Sequence, residues 1–103
     1  MARYTYLWEF RIEPESRAEF ERHYGPNGVW VELFRQSPGY VETLLLRDRM
    51  DSLRYFTIDR WESKEAYDAF RARCSKQFEL IDERCAKLTA TETPLGNYDE
   101  VPV

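Results

Sequence analysis

The sequence is poor in the residues that most site chemistry relies on. It has one histidine, two cysteines and four glycines among 103 residues. With His23 as its only imidazole and no C-x-x-C spacing, it offers no ligand set for a structural or catalytic metal. G-x-G-x-x-G, P-loop and G-x-S-x-G patterns are all absent. "GPNG" at 25–28 is turn chemistry without the strand context that a phosphate loop requires. Positive charge is not in excess either. There are 15 Lys and Arg against 19 Asp and Glu, a formal net charge of -4. Such a chain has no basic stripe for nucleic acid or an anionic membrane. No apolar run approaches the ~20 residues of a membrane span. The N-terminal "MARYTYLWEF" alternates polar and apolar residues where a signal peptide would be continuously apolar. These absences predict a soluble, cytoplasmic protein with neither nucleic-acid nor membrane partners.

The two cysteines, Cys74 and Cys85, fall in one helical stretch. At ~1.5 Å per residue they would stand roughly 16 Å apart, well beyond the about 7 Å that a disulfide spans. They are expected as reduced thiols on or near a buried helix face.

What the chain does have is aromatic residues, 16% of the total, enough to fill a small core or to line a cavity within one. Its length suits a single domain, placed at 1–96, with 97–103 as a C-terminal arm. "YTYLWEFRI" (4–12) alternates with period two. Tyr4, Tyr6, Trp8, Phe10 and Ile12 share one face of a strand, and Thr5, Leu7, Glu9 and Arg11 the other. Pro14 ends it and opens a helix to about Tyr24, with Ser16 and Glu19 at capping-box spacing. "NGVWVELFRQ" (27–36) predicts a short helix capped by Asn27, with Trp30, Leu33 and Phe34 on one face. "YVETLLLR" (40–47) and "LRYFTIDRW" (53–61) read as a hairpin joined by the five-residue loop "DRMDS". Ser63 then caps the longest helix, about 64–87, along which Tyr67, Phe70, Cys74, Phe78, Ile81, Cys85 and Leu88 form a continuous apolar stripe. "LTATETPL" (88–95) has strand composition.

The order strand, helix, strand, strand, helix, strand is the α+β, ferredoxin-like split βαββαβ pattern with an antiparallel sheet. Two helices cover only one face of four strands. The other face carries Leu7 and half of the "LLL" run at 44–46. A half-apolar face of this kind predicts a cover, and a second copy of the same sheet supplies it in a homodimer.

"WEFRIEPESRAEFE" (8–21), "SPGYVETLLLRD" (37–48) and "YFTIDRWESKEAYDAF" (55–70) together resemble the antibiotic biosynthesis monooxygenase family over roughly residues 4–95. The resemblance implies a dimeric α/β barrel in which two sheets pack together. It also implies a pocket between sheet and helices that accepts a flat aromatic molecule. In the family's cofactor-free members the substrate supplies the electrons. The protein helps to deprotonate a phenol or enol, holds the anion and excludes water. The haem-degrading branch has an Asn where this chain has Phe10, and a haem-ligating His on the long helix, which this chain lacks. Many other relatives carry a His nine residues after the signature Trp, here Trp61, at the place of Phe70. The resemblance therefore implies an enzyme without metal or flavin acting on a small phenolic or quinol-type compound, or a non-catalytic dimeric ligand-binding or structural module of the same fold.

The candidate catalytic residue is His23, whose unperturbed pKa lies near neutrality, with Tyr24 beside it. The alternative role for His23 is to complement the C-terminal end of its helix. Tyr6, Trp8 and Phe10 are candidates for an aromatic wall, with Phe70 opposite. Trp30 and Phe34 would close one end of the pocket. Arg71 and Arg73 are candidates to hold an anionic oxygen. Asp59 and Glu62 flank Trp61 too closely in sequence to read as a catalytic pair, and Trp61 itself reads as packing where a strand hands over to a helix.

Overall fold

The structure is a computed structural model that describes residues 2–102. Strand β1 (Tyr4–Arg11) is followed by a 3-10 turn (Pro14–Ser16), α1 (Arg17–Tyr24) and α2 (Val29–Phe34). The hairpin β2 (Tyr40–Arg47) and β3 (Arg54–Trp61) comes next, then α3 (Lys64–Arg73), α4 (Ser75–Cys85), a 3-10 turn (Ala86–Leu88) and β4 (Thr91–Asp99). The four strands form one antiparallel sheet in the order β2-β3-β1-β4. This is the α+β, βαββαβ arrangement that the element order predicts.

Alternation decides which sheet face is buried. Along β3, Tyr55, Thr57, Asp59 and Trp61 are buried, while Arg54, Phe56, Ile58 and Arg60 are half-buried on the opposite face. On β1, Tyr4, Tyr6, Trp8 and Phe10 face the helices and belong to, or pack on, the same core. Phe20 and Tyr24 of α1 lie over Phe10, with ring centroids 5.4 and 5.0 Å away. Phe34 of α2 and Phe70 of α3 enclose Trp61 at 5.9 and 5.1 Å. Trp61 and Phe70 are completely buried, and rings at these separations contribute about 0.5–1.5 kcal/mol per pair beyond the area they bury.

Gly39 brings the hairpin and α3 together. Its φ of +90° is costly for any other residue, and a Cβ there would lie 2.5 Å from the Cβ of Ala66, so only glycine fits. Its carbonyl accepts the Glu62 amide at 2.7 Å. One residue on, the Ser63 hydroxyl accepts the Ala66 amide at 3.1 Å and caps α3 as its sequence predicts.

Four local expectations are corrected. Ser16 makes no side-chain cap, because Pro14 starts a 3-10 turn that leads directly into α1. Asn27 does not cap α2; Gly28 holds that position, again without a side-chain bond. The long helix is two helices, interrupted at Cys74 where ψ turns to 21°. The buried stripe stays in phase through Phe70, Cys74, Ile81 and Cys85, so packing masks the break in the sequence. The last strand lies later than composition places it. It takes in Asn97, Tyr98 and Asp99 of the predicted arm, because the ladder with β1 continues through Tyr4↔Asp99 past a bulge at Leu7/Trp8.

The helices leave the other sheet face open. Leu44 and Leu46 on β2 are 42% and 46% exposed there. Two charged clusters flank them. Arg54 bonds to Glu9 and Asp48, and Arg60 bonds to Glu42 and Glu100.

Candidate active site

Between sheet and helices lies a cavity of about 320 Å³. Strand register arranges its floor in rows. In the first row Thr43, Asp59 and Tyr6 stand side by side on β2, β3 and β1. The second pairs Thr57 with Trp8, and the last pairs Phe10 with Glu92 of β4. Tyr24, Trp30 and Phe34 from α1 and α2, and Tyr67, Arg71, Phe78 and Asp82 from α3 and α4, complete the wall. Rings make up most of it, with carboxyl groups at two places. Pockets for flat organic ligands have this character, and the volume lies at the lower end of their range of roughly 300–1,000 Å³.

Of the residues predicted for the site, Tyr6, Trp8, Phe10, Trp30 and Phe34 come together in this wall. His23 and Phe70 do not. The His23 ring is on α1 with Nδ1 2.8 Å from the Glu19 carbonyl oxygen, the helix-end position that an imidazole favours. Phe70 sits behind the wall, edge-on to Phe34 at 5.4 Å. Arg73 is engaged elsewhere, donating to the Ser37 hydroxyl at 2.6 Å. Arg71 does reach the cavity. It donates to the Tyr67 hydroxyl at 3.1 Å, and its guanidinium lies 3.8 Å over the Phe78 ring.

The residue that sequence reasoning passed over is Asp59. It is 6% exposed and lines the cavity. Thr43 donates to its Oδ1 at 2.5 Å and itself accepts the Tyr40 hydroxyl at 2.7 Å. Burial pushes the carboxyl up to about 7, with the Thr43 bond opposing the shift. The Tyr6 phenol opposite is raised well above its ordinary value, by burial first and then by the Asp59 charge. At the other end, burial, with the Asp82 charge as a lesser cause, raises the Glu92 carboxyl. The missed signal was phase. Asp59 occupies an inward position of a strand whose other inward residues are Tyr55, Thr57 and Trp61. Among the described residues, no group of three His, Cys, Asp or Glu side chains converges to hold a metal ion.

Comparison with known proteins agrees with this architecture. The profile of the antibiotic biosynthesis monooxygenase family matches residues 3–78. The chain belongs to this family. Its fold is shared with SnoaB, a cofactor-independent oxygenase from Streptomyces nogalater, at 22% identity and a TM-score of 0.73, covering 100% of this chain and 97% of that one. A single-residue variant of SnoaB superposes with a TM-score of 0.75 at 21% identity, with the same coverage. The protein PA3566 from Pseudomonas aeruginosa shares the fold at 16% identity, TM-score 0.71, covering 99% of this chain and 97% of that one. No functionally curated protein matches the sequence. The family match ends at Phe78, so this antibiotic biosynthesis monooxygenase family member draws Asp82 and Glu92 of its cavity from outside the matched region.

Proposed function

We propose that the protein is a cofactor-independent oxygenase that takes a small phenolic or quinol-type aromatic molecule into this cavity and works as a homodimer. The observation that carries the reading is the cavity itself, about 320 Å³ walled by aromatic rings with Tyr6 and a buried carboxyl on its floor. Family membership and the fold shared with the cofactor-independent oxygenase SnoaB support it. An anthrone illustrates the balance. Its methylene carbon gives four electrons to O2, one oxygen atom becomes the new carbonyl, and the other leaves as water with the two methylene hydrogens. The protein's contribution is to form the substrate anion and hold it against the aromatic wall. The second copy would cover the open sheet face at Leu44 and Leu46.

A non-catalytic ligand-binding module is the second reading. It is favoured by Phe70, which stands where many relatives have a His, and by the position of His23 away from the cavity. Oxygen consumption with a panel of anthrones and hydroquinones separates the two. Wild type should consume oxygen with at least one compound, and Thr57→Leu, which fills the cavity floor, should not. Ligand binding without uptake by wild type on any compound would establish the binding module instead. Sedimentation should give the mass of two chains, and a monomer would refute the dimer.

A further inference from the structure

We infer that Asp59 is the group that takes the proton from the substrate hydroxyl, held for this by the hydroxyl chain Tyr40–Thr43 and served at the same end of the cavity by Tyr6 and Arg71. The inference rests on the oxygenase reading and adds to it a named base and a narrower substrate class.

Geometry selects Asp59 among the cavity's polar groups. Its Oδ1 is engaged by Thr43, and no other hydrogen bond among the described residues reaches the carboxyl, which leaves Oδ2 for a ligand. A buried carboxylate with one donor is under-solvated, and a substrate hydroxyl supplies the second donor. The other carboxyl groups lie elsewhere. Glu92 pairs with Phe10, four residues along β1 from Tyr6 and thus about 13 Å from the Asp59 row at ~3.3 Å per residue. Asp82 is near Glu92, whose ionisation it opposes. Tyr6, Tyr24 and Tyr67 are phenols, and burial raises the first two further above neutrality. Arg71 is a cation close enough to act on Tyr6. Beside Asp59, therefore, stand Tyr40 from β2 and Tyr6 from β1; Tyr67 and Arg71 of α3 lie on the far side of Tyr6, and Asp82 and Glu92 at the other end of the cavity. Asp59 combines a free acceptor atom with burial and a proton affinity suited to neutral pH, whereas Asp82 and Glu92 are exposed.

The step is a proton transfer. The substrate O–H bond breaks, the proton goes to Oδ2, and the electron pair stays on the substrate oxygen. No electron changes hands until O2 reacts with the resulting anion. Tyr6 and Arg71, both donors, then face that oxyanion. The arrangement favours neutral hydroxyl compounds. An aromatic carboxylate would set a second negative charge against Asp59.

The test uses 2-naphthol, a fluorescent phenol that becomes a strong acid when excited, so its naphtholate emission reports an acceptor beside it. Bound to wild type in a water-poor site it should emit as naphtholate. Bound to Asp59→Asn it should emit as neutral naphthol. 2-Naphthoate should bind at least about tenfold more weakly than 2-naphthol, the penalty of roughly 1.4 kcal/mol for one opposed charge. In oxygen uptake, kcat/KM of wild type should fall with a single-proton limb near pH 7 as pH decreases. Asp59→Asn should lose about 10²-fold or more at the plateau. Thr43→Val should move the limb to higher pH, a shift that a purely structural role for Thr43 would not produce. Naphtholate emission that survives in Asp59→Asn overturns the inference, as does an unmoved pH limb in both variants. Failure of wild type to bind 2-naphthol also overturns it. Asp59-dependent emission without oxygen uptake by wild type keeps the proton acceptor and overturns the oxygenase reading.

Discussion

Tyr6 and Asp59 stand directly opposite each other on β1 and β3, and the Asp59 charge makes ionisation of the Tyr6 phenol costlier. Burial is the main cause of the upward shift in both. The proposed mechanism uses this as a division of labour at neutral pH, in which Tyr6 keeps its proton as a donor while Asp59 exchanges one.

That division has a cost in stability, and the sign is fixed. The Asp59 carboxyl is raised from its ordinary 3.8 to about 7 in the folded state. Its favourable contribution is therefore fully present below about pH 4 and is lost as pH rises through 7. Asp59→Asn, which keeps the shape and removes the charge, should melt at higher temperature than wild type at pH 8, by up to about 4 kcal/mol at roughly 1.4 kcal/mol per pH unit. The gap should close towards pH 4. Thermal melts at the two pH values check this, and a variant no more stable than wild type at pH 8 would argue against a strained carboxylate.

Phe70→His introduces the imidazole that the family resemblance leads one to expect at this position, but places it where it has no partner. Phe70 is completely buried against Trp61 and Phe34. The substitution should destabilise by about 2–4 kcal/mol through lost ring packing and a buried unpaired polar group. It should not rescue uptake in Asp59→Asn, because position 70 does not line the cavity. Denaturant titration and oxygen uptake in the double variant measure both effects.

His23→Ala should leave oxygen uptake and its pH profile unchanged. The ring bonds to the Glu19 carbonyl at 2.8 Å and does not line the cavity. Its loss should cost less than about 1 kcal/mol, as for one partly exposed hydrogen bond. A shifted acid limb in this variant would return His23 to the mechanism.

Glu100 should anchor the end of β4 in a pH-dependent way. It accepts from Thr5 at 2.6 Å and from Arg60 at 2.9 and 3.0 Å, and these bonds hold its carboxyl down at about 2. A depressed carboxylate stabilises above its unfolded pKa near 4.5 and loses that contribution as pH falls through 2. The protection factor of the Glu100 amide, which donates to the Arg3 carbonyl at 2.8 Å, should fall in acid and in Glu100→Gln at pH 7. Equal exchange in both proteins would show that backbone pairing alone secures this end.

The sheet and its buried face were legible because period two is an unambiguous signal in "YTYLWEFRI" and "RYFTIDRW". The helix caps were less so. Ser63 obeys its pattern, but Ser16 has the right neighbours and no cap, since Pro14 alters the geometry before it. The break at Cys74 left no mark because residues 64–87 contain neither Gly nor Pro. For the site, five aromatic wall residues followed from strand and helix faces. Asp59 did not, because sequence proximity to Glu62 suggested a flanking charge when its strand phase pointed inward. Register across three strands, which brings Thr43, Asp59 and Tyr6 into one row, is a tertiary property that no single segment contains.

The interruption at Cys74 gives the Arg71–Phe78 contact a meaning beyond packing. Arg71 ends its reach on a ring that belongs to the next helix, so one guanidinium spans the joint and also borders the cavity. An anion in the cavity and the Phe78 ring thus compete for a single cation. On the proposed chemistry, charge formed on the substrate would draw Arg71 from the ring and loosen the contact that ties α3 to α4.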